Sequence, residues 1–160
     1  MATTNLTGEY ECKIDEKGRI IFPSALKKKL APEFQDRFVI NRGFEGCLVI
    51  HPMDVWNEIT RDINSLNKYV EDTRRFIRVF YDGATEVVLD SQNRFLLPKI
   101  LLPHASIDKE VILSALADRI EVWDKQTYQK VRAISAAEYS QLAAKVMGNH
   151  EPGKPGQHVS

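Results

Sequence analysis

The chain has 160 residues, 43% hydrophobic and 28% charged. That is enough apolar material for one compact unit or two closely packed halves, and it excludes a disordered chain. Its 22 basic and 22 acidic residues cancel, which excludes a protein that coats nucleic acid through bulk charge. Positive charge aimed at DNA must then be focused on one face, or multiplied by oligomerisation.

Residues 1–7 are small and polar and read as a frayed start. Glu9 to Asp15 alternates, with Tyr10, Cys12 and Ile14 on one side, and predicts a half-buried strand. The turn Asp15-Glu16-Lys17-Gly18-Arg19 follows, then Ile20-Ile21-Phe22-Pro23. An Asp heading a turn can accept backbone N–H bonds within it. Gly18 suits left-handed backbone. These residues predict a tight strand–turn–strand hairpin. Pro23 fits the first position of a short helix over Ser24 to Leu30. Phe38-Val39-Ile40 and Cys47-Leu48-Val49-Ile50 are apolar runs joined by a glycine-containing loop, as in a hairpin. His51-Pro52 predicts a helix start, with Val55, Ile59, Ile63 and Leu66 as its apolar stripe. Asp72 is placed to cap a second helix through about Tyr81, ended by Asp82-Gly83.

The pattern then repeats. Asp90-Ser91-Gln92-Asn93-Arg94 leads into Phe95-Leu96-Leu97-Pro98. Glu86 to Asp90 matches Glu11 to Asp15 at an offset of 75 residues. Val111-Ile112-Leu113 answers Phe38-Val39-Ile40, and Ile120 and Val122 answer Leu48 and Ile50, at offsets of 73 and 72. Asn93 stands where Gly18 stood, and both residue types enter left-handed space readily. Pro103 is expected to stop the second short helix early. Asp124 and Ser135 head two further helices, with Tyr139, Leu142, Ala143 and Val146 on one face of the last. Gly148 should end it, and residues 149–160 read as a loose tail. The domains expected are residues 7–81 and 82–148.

Each half is strand, turn, strand, short helix, strand, strand, helix. The fold class is mainly β with peripheral helices (α+β). Short strands of this kind do not form a stable sheet within one half. The expectation is that two pseudo-symmetric halves interlock into one small β-barrel without exposed edges. Both Asp/Arg turns should then emerge on one end or face.

Arg19 and Arg94 have two readings. One is a salt bridge with Asp15 or Asp90, an exposed pairing that contributes little. The other is DNA contact, because an arginine can fork onto guanine O6 and N7 or onto phosphate, and a two-stranded ribbon fits the major groove. Asp15, Gly18, Asp90 and Asn93 are assigned to turn structure. Lys17 is either a phosphate contact or a solvated lysine, and Gln92 is its counterpart in the second turn. Lys27-Lys28-Lys29 reads as a solvated helix end, and Arg74, Arg75 and Arg78 as partners in salt bridges. Cys12 and Cys47 share no motif and read as buried thiols of a reducing cytoplasm, with a disulfide as the alternative. The absence of a signal peptide or membrane-spanning run fits that location. The scattered histidines suggest no metal site, no cofactor motif is present, and the chain is not expected to be an enzyme.

The doubled Asp-x-x-x-Arg turn, Gly8-Glu9-Tyr10, Arg74-Arg75-Phe76-x-Arg78 and Asp118-Arg119-Ile120-Glu121-Val122-Trp123 resemble the MraZ family of bacterial regulators over about residues 7–147. The resemblance implies tandem SpoVT/AbrB-type swapped-hairpin domains and a ring-shaped homo-oligomer associated with the nucleoid. It implies binding to double-stranded DNA at direct repeats upstream of the family's own division and cell-wall operon, to regulate transcription. The arginines it assigns to DNA contact fall on Arg19 and Arg94. Gln92 and Asn93 depart from the Lys and Gly of the first turn. AbrB-type folds also occur in antitoxins, so a protein-interaction scaffold is the alternative.

Overall fold

The computed structural model describes residues 5–32 and 36–148. The expected tail, 149–160, lies outside the described residues. The first half runs β1 (Glu9–Lys13), β2 (Arg19–Ile21), α1 (Ser24–Lys27), β3 (Arg37–Arg42), β4 (Leu48–Pro52), α2 (Met53–Asn64) and α3 (Glu71–Tyr81). The second runs β5 (Thr85–Val88), β6 (Arg94–Leu96), α4 (Leu102–Ala105), β7 (Glu110–Leu116), β8 (Arg119–Asp124), α5 (Lys125–Val131) and α6 (Ala136–Met147).

Neither half completes its own sheet. Six strands form one antiparallel sheet in the order β1-β7-β8-β4-β3-β5, and β2 pairs with β6 in a separate ribbon. The first strand of each half thus lies beside the third strand of the other. The order reads the same from either end once β1, β3 and β4 are exchanged for β5, β7 and β8. The pseudo-two-fold axis passes through Val49 and Glu121, which face each other between β4 and β8. It also passes through Ile20 and Phe95, which face each other between β2 and β6.

Two expectations need correction. The sheet is not a closed barrel: it ends at β1 and β5, and the β2–β6 ribbon is hydrogen-bonded separately. Nor are β1 and β2 arms of one ladder. Two backbone bonds close the turn, Asp15 N–H to Arg19 C=O at 2.9 Å and Gly18 N–H to Asp15 C=O at 3.0 Å. Beyond it the strands part, because β1 is taken by β7 and β2 by β6.

Repeat-related apolar residues meet in one core. Ile20 and Phe95, Phe22 and Leu97, Phe38 and Val111, Ile40 and Leu113, Leu48 and Ile120, and Ile50 and Val122 are all buried. Phe22 stacks on Phe38 with ring centroids 4.9 Å apart. Burying such side chains contributes about 1.5–3 kcal/mol each before conformational entropy is counted.

The helices differ from expectation at their bounds, and α1 stops at Lys27 rather than reaching Leu30. Pro23 and Pro52 are N-caps rather than first helical residues. Pro103 sits in the first turn of α4, where its missing N–H costs nothing. It therefore opens that helix instead of stopping it, and Ser106, at φ 50°, ends it. Val70, not Asp72, precedes the first turn of α3. The chain also divides into two compact units at Tyr128–Gln129. Within the second unit Ser135 caps α6, accepting the Glu138 N–H at 3.1 Å. Tyr139, Leu142 and Val146 of α6 are exposed.

One buried polar pair fixes α3. Asn41 on β3 donates to the Phe80 carbonyl at 3.3 Å and accepts from His51 Nε2 at 2.8 Å. Nε2 therefore carries the proton, which leaves Nδ1 bare, buried and without a partner among the described residues. Burial, aided by the charge of Arg119, pushes the His51 pKa down to about 4. The unfolded chain then binds the extra proton between pH 6.5 and 4 and the folded chain does not, so stability is lost as pH falls through that window. Urea unfolding should show a loss of about 2 kcal/mol from this group on going from pH 7.5 to 5. His51→Gln should be less stable at both pH values yet lose distinctly less between them.

Candidate nucleic-acid interface

The two turns have the same geometry. In the first, Asp15 Oδ1 accepts the Lys17 and Arg19 amides at 2.9 and 2.8 Å, and Oδ2 accepts Arg19 Nε at 2.8 Å. In the second, Asp90 Oδ1 accepts the Gln92 and Arg94 amides at 2.9 and 2.8 Å, and Oδ2 accepts Arg94 Nε at 2.9 Å. Gly18 and Asn93 take the left-handed position, at φ 85° and 61°. The backbone amides of Arg19 and Arg94, more than the guanidinium charges, hold both carboxyls below the usual Asp range.

Each carboxylate meets its arginine on the Nε edge. Among the described residues, no acceptor is bonded to Nη1 or Nη2 of Arg19 or Arg94. The guanidinium is oriented, on a side chain 27% exposed in each turn, and keeps the pair of nitrogens that can fork end-on onto guanine or phosphate. The salt bridge and the binding role are therefore compatible.

Antiparallel pairing sets the two turns at opposite ends of the β2–β6 ribbon. The arginines nevertheless share a face. Ile20 and Phe95 point inward and are buried, so Arg19 and Ile21 on one strand, and Arg94 and Leu96 on the other, point outward. Arg19 faces Leu96 and Arg94 faces Ile21 across the ribbon.

Comparison with known proteins agrees with this doubled layout. The family model described as "MraZ protein, putative antitoxin-like" matches twice, at residues 6–79 and 80–149. The chain belongs to the MraZ family. It is 45% identical over 148 residues to a protein of Christiangramia forsetii named transcriptional regulator MraZ, covering 92% of this chain and 96% of the relative. A Flavobacterium psychrophilum protein of the same name is 41% identical over 90% of this chain and 92% of its own length. One from Cytophaga hutchinsonii is 36% identical over 88% and 93%. The relatives' shared name supports a regulatory role for MraZ chains such as this one.

The surroundings of the ribbon separate the other candidates. Lys17 and Gln92 are exposed beside their turns. Lys27 is not a free helix-end cation: its Nζ donates to Asn93 Oδ1 at 2.7 Å and pairs with Asp36 at 3.1 Å. That contact spans 66 residues, and helix spacing alone gives no sign of it. Arg74 bonds the Lys68 carbonyl at 3.0 Å, and Arg75 and Arg78 are exposed. His104 lies against the carbonyls of Gly43 and Glu45. Cys12 and Cys47 are free thiols. Among the described residues no three His, Cys, Asp or Glu side chains are grouped to hold a metal ion. No helix among them is long and apolar enough to cross a membrane.

A Cβ added at Gly18 would meet only Leu96 Cδ1, at an ordinary 3.5 Å, so its cost is conformational. Gly18→Ala should lower stability by about 1–2 kcal/mol in urea unfolding. Gly18→Asn should cost distinctly less, since Asn93 already occupies the matching position.

Proposed function

We propose that the chain is a sequence-specific DNA-binding transcriptional regulator whose reading heads are the Arg19 and Arg94 turns. The observation that carries this reading is the Nη pair on each oriented arginine, unbonded among the described residues and presented twice on one outward ribbon face. Such a ribbon can enter the major groove, where arginine recognises guanine O6 and N7. Lys17 and Gln92 contact the DNA beside them, while Asp15, Gly18, Asp90 and Asn93 hold the turns. Residues 7–81 and 82–148 are the two AbrB-type swapped-hairpin repeats.

A subunit of zero net charge needs several such heads acting together. A homo-oligomeric ring supplies them, and linkage raises affinity by about 10²–10⁴-fold through effective concentration. Head-to-tail subunits repeat the heads in one direction, so spaced direct repeats are the matching target. The regulator acts in the cytoplasm, on the nucleoid, upstream of its own division and cell-wall operon, and represses by occupying the promoter.

An antitoxin-like scaffold is the second reading. The exposed apolar side chains of α6, Tyr139, Leu142 and Val146, favour it as a protein-binding segment. Deleting 136–160 separates the two: DNA retardation survives that deletion on the first reading and is absent throughout on the second.

Arg19→Ala and Arg94→Ala should each keep the native mass and lose retardation of the DNA just upstream of the coding region. Arg19→Lys should restore little, because an ammonium cannot fork. Normal retardation by both alanine variants would reject the proposal.

A further inference from the structure

The ribbon face holds two large aliphatic side chains that its packing does not need. Ile21 is 63% exposed and Leu96 53% exposed. A single exposed aliphatic residue is ordinary. These two occupy equivalent positions of the repeat, two residues beyond each arginine, on the same outward face. Each also lies directly across the ribbon from the other strand's arginine.

The spacing matches duplex DNA. Residues i and i+2 of a strand are about 6.5–7 Å apart. Cross-strand partners stand about 4.5–5.5 Å apart. Base pairs in a duplex are spaced about 3.4 Å. An arginine seated on a guanine therefore places an aliphatic side chain one to two base pairs away. In the major groove the one apolar feature of a base edge is the C5-methyl group of thymine.

We infer that Ile21 and Leu96 are specificity-determining residues that read thymine methyls next to the guanines read by Arg19 and Arg94. The inference rests on the DNA-binding reading above. Subunit contact is the competing use. Ile21 borders a groove of about 570 Å³ that it shares with Tyr10, Cys12 and Pro23. A face that is half guanidinium suits DNA better, since interface cores between proteins are depleted in charge.

The test uses the upstream fragment amplified with either thymidine or deoxyuridine triphosphate, which differ on the base by the methyl alone. The unaltered protein should bind the uracil fragment about four-fold more weakly for each methyl lost. Ile21→Ser with Leu96→Ser should bind the thymine fragment weakly and show no further loss on uracil. Equal binding of both fragments by the unaltered protein would overturn the inference. So would an undiminished uracil penalty in the double variant, or a changed native mass, which assigns these residues to subunit contact. If the unaltered protein retards neither fragment, the DNA-binding reading itself has failed.

Discussion

The pairing of β2 with β6 about Ile20 and Phe95 is the constraint on which the candidate site depends. Three-residue strands have little stability alone. These two hold because each turns one residue into the common core, where Phe95 lies edge-on to Phe22 at 6.4 Å. Two backbone bonds seal the ribbon ends onto the turns. Phe22 N–H reaches the Asn93 carbonyl at 2.7 Å and Leu97 N–H the Gly18 carbonyl at 3.0 Å. A residue that shapes one turn thus anchors the strand leading from the other, so each turn's geometry depends on its counterpart.

Within that frame a single carboxylate does two jobs. One oxygen of Asp15 gathers two amides and shapes the backbone. The other holds the guanidinium by one edge. Removing rotational freedom from a long side chain before binding reduces the entropy lost on contact. It also leaves the opposite edge of the guanidinium, with both Nη nitrogens, without a bonded acceptor among the described residues.

The turns were legible because their requirements are local. An Asp at the head, a left-handed residue at the fourth position and an arginine at the fifth leave few backbone solutions, and the repeat supplies each twice. The core pairs were legible from the repeat offsets, since Ile40 with Leu113 and Ile50 with Val122 keep their alternation. Closure was not. Whether a sheet ends at β1 and β5 or joins across the ribbon depends on twist and on contacts distant in sequence, which alternation does not encode. The role of Pro103 is hidden for a similar reason. Proline both opens and breaks helices, and the backbone before it decides which. Lys27 was hidden because its partner, Asn93, belongs to the other half.

That last contact breaks the symmetry of the molecule. Asn93 offers a side-chain oxygen to Lys27, whereas Gly18 has no side chain to offer anything. Both arms keep their backbone ties, but only one is also strapped through a side chain at this position. A dimer of single-copy chains would have to alter both arms at once. Here each arm is written separately in the gene, so one can stiffen while its sibling stays as it was.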